Sequence, residues 1–287
     1  MRLLTAIKEK TDLSVTRVKC NELGEININD IENSVLPNTK AVVMLAASNV
    51  CGIALPLKEI GNLCKKHNII FVVDAAQTAG VMNIDMEEMN IDILCFTGHK
   101  GLLGPQGTGG FLIKNSLVTH VDTFIKGGTG SFSDEEIQPL YMPDKYESGT
   151  INIPGIYGLN KAVKYIIETG TDNIHKKEME LTKRFINGIS KIDGIKIIGK
   201  KDTENRTAVV SLDFTGMDNG IIGHILNTEY GISTRTGMHC APSAHKTLNT
   251  FPDGTVRFSF GYFNTEEEID YVIDSIISML KNPKDLL

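Results

Sequence analysis

Three short runs constrain this chain more than anything else in it: AVVMLAA at residues 41–47, IIFVV at 69–73 and ILCF at 93–96. Each is apolar at nearly every position, without the alternation of a half-exposed strand, and segments of helical spacing separate them. Strands apolar on both sides belong to sheets covered on both faces, and strands that alternate with helices pair in parallel. The segment at 56–67 fits that scheme, with Pro56 opening it and Leu57, Ile60, Gly61 and Cys64 recurring on one helical face. Upstream, Leu3, Leu4 and Ile7 suggest a short amphipathic helix, residues 15–18 a strand and residues 28–34 a helix after Asn27. The expectation is an α/β unit with a mainly parallel sheet and helices on both faces. Ligands of such sheets bind beyond the carboxyl ends of the strands.

Residues 116–154 break the pattern with KGGTGSFSDEE and PLYMPDKYESGTINIPG, a stretch too long to stay irregular without a use. Helices at 156–169 and 173–189 follow, then strands near 195–198 and 207–214, a helix near 218–229, strands at 232–235 and 255–260, and a last helix from Thr265 with Glu268 placed for a capping box. A chain of 287 residues is long enough for two cores. The division read here is a large domain over 1–155 and a smaller α+β domain over 156–287.

Net charge is −6 with lysines and arginines scattered, which leaves no footprint for nucleic acid and points to a small-molecule partner. The apolar runs fall short of the roughly 20 residues that span a bilayer, and MRLLTAIKEK has no signal-peptide core, so neither membrane nor secretion is expected. Five cysteines without a CxxC pair disfavour a disulfide framework or zinc site and suit a reducing cytoplasm.

Two strand ends carry chemistry. FVVDAAQTAG places Asp74 where a strand stops, with Gln77 three residues on, and CFTGHK does the same with Thr97, His99 and Lys100. Taken singly, Asp74 reads as a turn cap and Lys100 as a solvated lysine. Together they suit pyridoxal phosphate, which needs a lysine to form a Schiff base and an acid to keep the pyridine nitrogen protonated. Lysine shielded from water beside other cations becomes a usable amine. GLLGPQGTGG offers neither a dinucleotide nor a P-loop spacing, so its glycines read as hairpin and close-approach residues. In ISTRTGMHCAPSAHKTL, Cys240 is flanked by His239 with Arg235 nearby, in a loop too polar for core, as an accessible thiol under neighbouring positive charge would be. Cys20, Cys51, Cys64 and Cys95 read as buried.

VDAAQTAG, FTGHKGLLGPQGTGG, ESGTINIPG, RTGMHCAP and GTVRFSFGYFNTEEEID, in that order over about 40–280, resemble the cysteine desulfurase and selenocysteine lyase branch of the class V aminotransferases, pyridoxal-phosphate enzymes of fold type I. The resemblance implies that Lys100 carries the cofactor and moves the α-proton, that Asp74 binds the pyridine nitrogen and Gln77 faces the phenolic oxygen. It implies that Thr97 and His99 hold the phosphate, with Thr150 reaching the phosphate of a neighbouring subunit in a homodimer. Asn49 and Arg257, with Arg235, would bind the substrate carboxylate, and Cys240 would take sulfur from L-cysteine, or selenium from L-selenocysteine, for a thiol or protein acceptor. Other β-lyase or transaminase chemistry would need Lys100 and Asp74 but not Cys240. The family's early phosphate-binding segment and its ring-stacking residue, commonly histidine, would precede Met1, and no histidine precedes His67. A truncated chain with little activity alone is the remaining reading.

Overall fold

The computed structural model describes residues 2–131 and 134–281. Helix α1 (Arg2–Lys8) forms at the expected place, but its apolar stripe does not bury, since Leu3 and Ile7 face solvent. Residues 15–18 are not a strand: they find no ladder partner, and Val18 leans on the first core. Helix α2 (Ile28–Asn33) starts where Asn27 accepts the Asn29 amide proton.

The first sheet comprises β1 (Ala41–Leu45), β2 (Ile70–Asp74), β3 (Ile93–Thr97) and β4 (Gly109–Ile113), in that spatial order, with α3 (Leu57–Lys66) between β1 and β2 in sequence. The first three strands are parallel, and β4 returns antiparallel. Phe71, Val73 and Leu94 pack on Ile60, Leu63 and Cys64 of α3. Burial of such side chains stabilises by roughly 1.5–3 kcal/mol each.

The opposite face departs from expectation. Val43 is 54% and Leu45 40% exposed, so β1 is not a buried strand and the sheet is covered fully on one face only among the described residues. Helices α2 and α3 both pack with the side of the sheet that carries Phe71, Val73 and Leu94, which leaves Val43 and Leu45 without cover.

The glycines of the β3–β4 hairpin behave as expected: Gly109 pairs with Thr97, and Gly110 with Phe96, whose ring lies over it. Beyond β4 the described residues make one 3₁₀ turn at Asn115–Leu117 and are otherwise irregular to 152. Phe132 and Ser133 of this excursion lie outside the described residues. The Lys145 Nζ donates to the Val118 carbonyl at 2.5 Å and the Tyr146 hydroxyl to that of Val121 at 2.7 Å, which ties the loop to itself. Phe124 stands 98% exposed.

Helix α4 (Ile153–Thr169) begins three residues ahead of the apolar spacing, because Asn152 caps it through the Gly155 amide and Pro154 suits the first turn. Helix α5 (Thr171–Ile189) follows after Gly170.

The second sheet is antiparallel, ordered β5 (Ile195–Ile198), β6 (Val209–Phe214), β8 (Thr255–Ser259), β7 (Arg235–Gly237). Strand β7 starts later than expected because its ladder pairs only from Arg235. Helices α5, α6 (Asn219–Thr228) and α8 (Glu266–Lys281) cover this sheet, with Phe185 between Phe258 and Phe260 at ring distances of 4.9 and 5.0 Å. Thr265 and Glu268 make the expected capping box. Helix α7 (Pro242–Thr247) was not expected, since PSAHKT has no apolar period.

Two smaller clusters join the sheets. Val81 packs with Ile166 and Ile174, and Val50, Cys51 and Ile53 pack with Ile198 and Leu248. Beside the second lies Arg206, fully buried, donating to the carbonyls of Lys200 (2.9 Å), Asp202 (3.0 Å), Val209 (2.7 Å), Cys51 (3.4 Å) and Thr207 (3.4 Å). Among the described residues no helix is long and apolar enough to cross a membrane.

Candidate active site

Asp74 is the last residue of β2 and Thr97 the last of β3, so both stand at the carboxyl edge of the parallel strands, with Lys100 in the turn beyond Thr97. The two strand-end turns touch through glycines. A Cβ on Gly80 would lie 2.4 Å from the Gly101 carbonyl oxygen, and one on Gly101 would lie 2.6 Å from that of Ala79. Only a pair without side chains lets the segment carrying Asp74 and Gln77 run this close to the one carrying Lys100.

The Asp74 Oδ1 accepts the Ala76 amide proton at 2.9 Å, so the residue caps its turn while its carboxylate stays exposed. Thr97 Oγ1 and His99 Nδ1 are 2.8 Å apart, which fixes the imidazole plane. Gln77 is half-buried just after Asp74. Lys100 is exposed rather than shielded as expected, yet partial desolvation of its ammonium lowers its proton affinity, with Arg257 and Arg235 adding to the loss and Asp74 opposing it. Those three charges are close enough to act on one amine although they arise from three strands.

In the second sheet Arg235 and Arg257 are direct cross-strand partners on β7 and β8. Like charges so placed repel unless an anion or a hydrogen-bond acceptor intervenes. Arg257 Nη1 donates to the Asn49 carbonyl at 3.0 Å, and the Asn49 Nδ2 donates to the His239 carbonyl at 2.8 Å. Arg257 Nε is buried and has no partner. Burial lowers the proton affinity of Arg257, Arg235 lowers it further and Cys240 works the other way.

Cys240 is exposed, and its Sγ lies 3.4 Å from Arg235 Nη2. His239 and Cys240 both have left-handed backbone, at φ 46° and 61°. Cys240 is accessible as expected, but the loop around it, read as too polar for core, buries two of its histidines. His239 is 3% and His245 0% exposed, with the rings 5.4 Å apart. His239 Nε2 meets Thr255 Oγ1 at 2.8 Å and His245 Nδ1 meets Thr250 Oγ1 at 2.7 Å. Burial, with help from Arg257, His245 and Arg235, pushes the His239 value down to about 3. Positive charge near Cys240 therefore comes from Arg235 and Arg257, and His239 supplies none at neutral pH.

Of the other cysteines, Cys51 and Cys64 are buried, whereas Cys20 and Cys95 are half-buried. Thr150 lies apart from this group, in a shallow hollow of the long loop lined by Gly128, Thr129, Asp144 and Glu147, to which none of the strand-end residues contributes. Gly101 is one of the close-approach glycines expected in GLLGPQGTGG, whereas sequence reasoning missed Gly80, Thr255, His245 and Arg206. Of these only Gly80 left a signal, closing the motif that carries Asp74 and Gln77.

The aminotransferase class-V family profile matches residues 3–272. The chain belongs to the class-V aminotransferases. This class-V protein is 34% identical over 268 residues to a probable cysteine desulfurase of Methanothermobacter thermautotrophicus, covering 92% of its own length and 66% of that protein. It is 36% identical over 255 residues to a probable cysteine desulfurase of Staphylococcus aureus, covering 88% and 60%. It thus spans less than two thirds of the length of these curated relatives. A cysteine desulfurase from Thermococcus onnurineus, solved in its apo form, superposes with a TM-score of 0.88 at 29% identity, over 97% of this chain and 69% of that one. A cysteine desulfurase from Escherichia coli shares the fold at 22% identity and a TM-score of 0.84, over 96% and 68%. The mostly parallel sheet flanked by helices is the type I fold expected from the motifs.

Proposed function

We propose that the protein is a pyridoxal-phosphate-dependent cysteine desulfurase that converts L-cysteine to L-alanine and leaves the sulfur as a persulfide on Cys240. One observation supports the reading: Asp74, Arg257 and Arg235 all act on the Lys100 amine, and Cys240 is exposed beside Arg235.

The donor set suits the cofactor. An amine and a carboxylate stand on neighbouring strand ends, and Thr97 and His99 offer a hydroxyl and an imidazole for a phosphate. When bound, pyridoxal phosphate withdraws electrons from the substrate α-carbon. Asp74 would keep the pyridine nitrogen protonated, with Gln77 beside the ring. Thr150 is assigned to the phosphate of a second subunit.

Arg257 Nε, buried and unpartnered, has a donor to spend on the substrate carboxylate, and Asn49 and Arg235 flank that position. Lys100 holds and returns the proton at the α-carbon, a task eased by an amine that gives up its own proton below the usual lysine range. Cys240 Sγ attacks the substrate sulfur: an S–S bond forms, the C–S bond breaks and the carbon takes a proton. The sum is L-cysteine plus thiol giving L-alanine plus persulfide, with no outside oxidant. L-Selenocysteine would enter by the same contacts. A β-lyase or transaminase would leave the Arg235–Cys240 contact without a use.

The persulfide must pass to a thiol or a sulfur-acceptor protein. Phe124, Ile137, Leu140 and Tyr157, exposed around the long loop, offer apolar area for a second copy of the chain. The acidic balance speaks against a nucleic-acid partner. The reading is tested by incubation with pyridoxal phosphate, borohydride reduction and peptide mass spectrometry, followed by an assay of alanine from L-cysteine. An adduct confined to Lys100 with alanine formation is expected; label scattered over surface lysines would remove it.

A further inference from the structure

We propose that His239 is a positioning residue, not a proton-transfer residue: its backbone and ring pin the nucleophile to the carboxylate site. A histidine next to a reactive cysteine invites the opposite reading, since imidazole is the commonest general base. The geometry here directs it elsewhere.

Three contacts converge on this residue. Its carbonyl takes the Asn49 amide at 2.8 Å, and the carbonyl of that same Asn49 takes Arg257 Nη1 at 3.0 Å. Its ring Nε2 reaches Thr255 Oγ1 at 2.8 Å. Thr255 and Arg257 are two apart on β8 and so share a face of the sheet. The third contact is covalent: Cys240 follows directly, and the left-handed φ of both residues turns its sulfur outward to Arg235 while the imidazole turns inward. His239 therefore fixes Asn49, the strand of Arg257 and the Cys240 sulfur relative to one another.

The ring is unsuited to acid–base work at neutral pH. It is almost wholly buried, and Arg257, Arg235 and His245 all oppose its charging. Its role is met by any residue that accepts a left-handed backbone and can bond Thr255. Asparagine meets both conditions, being enriched at positive φ, whereas a β-branched residue is a true outlier there.

The inference rests on the desulfurase reading, and the experiment separates the two. His239→Asn, His239→Gly and His239→Val are prepared in the full chain loaded with pyridoxal phosphate. Two quantities are measured: alanine formation from L-cysteine, and the rate of Cys240 alkylation by iodoacetamide across pH, read by peptide mass spectrometry. A positioning role predicts that Asn stays within about threefold of the parent, that Gly falls between, and that Val loses on the order of a hundredfold in kcat/KM, with kcat lowered and KM raised together. The pH profile of alkylation keeps its shape in the Asn variant. If Asn falls as far as Val, or its profile loses an ionisation, the ring acts in the chemistry and the proposal is wrong. If the parent forms no alanine, the desulfurase reading fails. The order of the alkylation rates then decides the positioning role alone: Asn above Val upholds it and equal rates overturn it.

Discussion

Gly80 and Gly101 meet backbone against backbone, and that contact sets the spacing of the two strand-end turns that carry Asp74 and Lys100. A methyl group at residue 101 would stand 2.6 Å from the Ala79 carbonyl oxygen and 2.9 Å from a Val81 methyl. Gly101→Ala should therefore cost about 1–3 kcal/mol of stability, the usual range for overpacking, and should weaken capture of pyridoxal phosphate. Urea denaturation and reductive trapping measure the two effects; an Ala variant equal to the parent in both would show that the turns have slack.

Lys100 should form its borohydride-trapped adduct at lower pH than surface lysines do. Partial desolvation and two arginines lower its proton affinity, so the free amine appears below the ordinary lysine value and reactivity rises earlier as pH increases. Trapping yield against pH, compared between the Lys100 peptide and one carrying Lys183, gives the answer. Coincident curves would contradict the environment described.

Cys240→Ser should keep the fold and the Lys100 adduct but lower alanine formation on the order of a thousandfold or more, as removal of a nucleophile does. The side chain is exposed, so no packing is lost. Alanine release at parental rates would take the residue out of the chemistry.

Much of this site was legible because its parts sit where apolar runs stop. Asp74, Thr97 and Lys100 follow strands that can be read by composition alone, and Asn27, Thr265 and Glu268 cap helices by rules local in sequence. What escaped depends on contacts between distant segments. The exposure of Val43 and Leu45 follows from which sheet face the helices choose, and nothing within AVVML records it. His239 looks identical in sequence whether its ring faces Cys240 or Thr255. Helix α7 is held by Ala241, Ala244 and Leu248 against Val50, Cys51 and Ile53, so its packing comes from the other end of the chain; Pro242 at its first turn was the one local hint.

Stability should fall on both sides of a mildly acidic optimum. His239 binds its proton at about 3 in the folded chain against an ordinary 6.5, so between these values the unfolded chain holds more protons and stability drops as pH falls. Glu178, buried on α5, is pushed up to about 7 from 4.5 by burial, so there the folded chain holds more protons and stability drops as pH rises. Glu178→Gln should stabilise at pH near 8, by no more than about 3 kcal/mol, and make little difference near pH 4. Thermal melts across pH test this; equal gains at both ends would mean the carboxyl is not desolvated.

Arg206 spends its guanidinium on backbone oxygens from both parts of the structure, which no ammonium can match in number or geometry. Arg206→Lys should cost at least about 2 kcal/mol, through carbonyls left without donors. A denaturation midpoint within error of the parent would show that other groups satisfy them.

The bonds through Asn49 bridge 190 and 208 positions of the chain, whereas Asp74 and Lys100 belong to adjacent turns of one sheet. The two parts of the site consequently differ in contact order. Asp74 and Lys100 need only the first sheet to be brought together, whereas the Asn49 contacts need residues of the second sheet and its Cys240 loop to meet the first. Closing loops of that length costs more chain entropy than closing the short turns that carry Asp74 and Lys100, and the lowered proton affinity of Lys100, which draws on Arg257 and Arg235, depends on the same long-range docking.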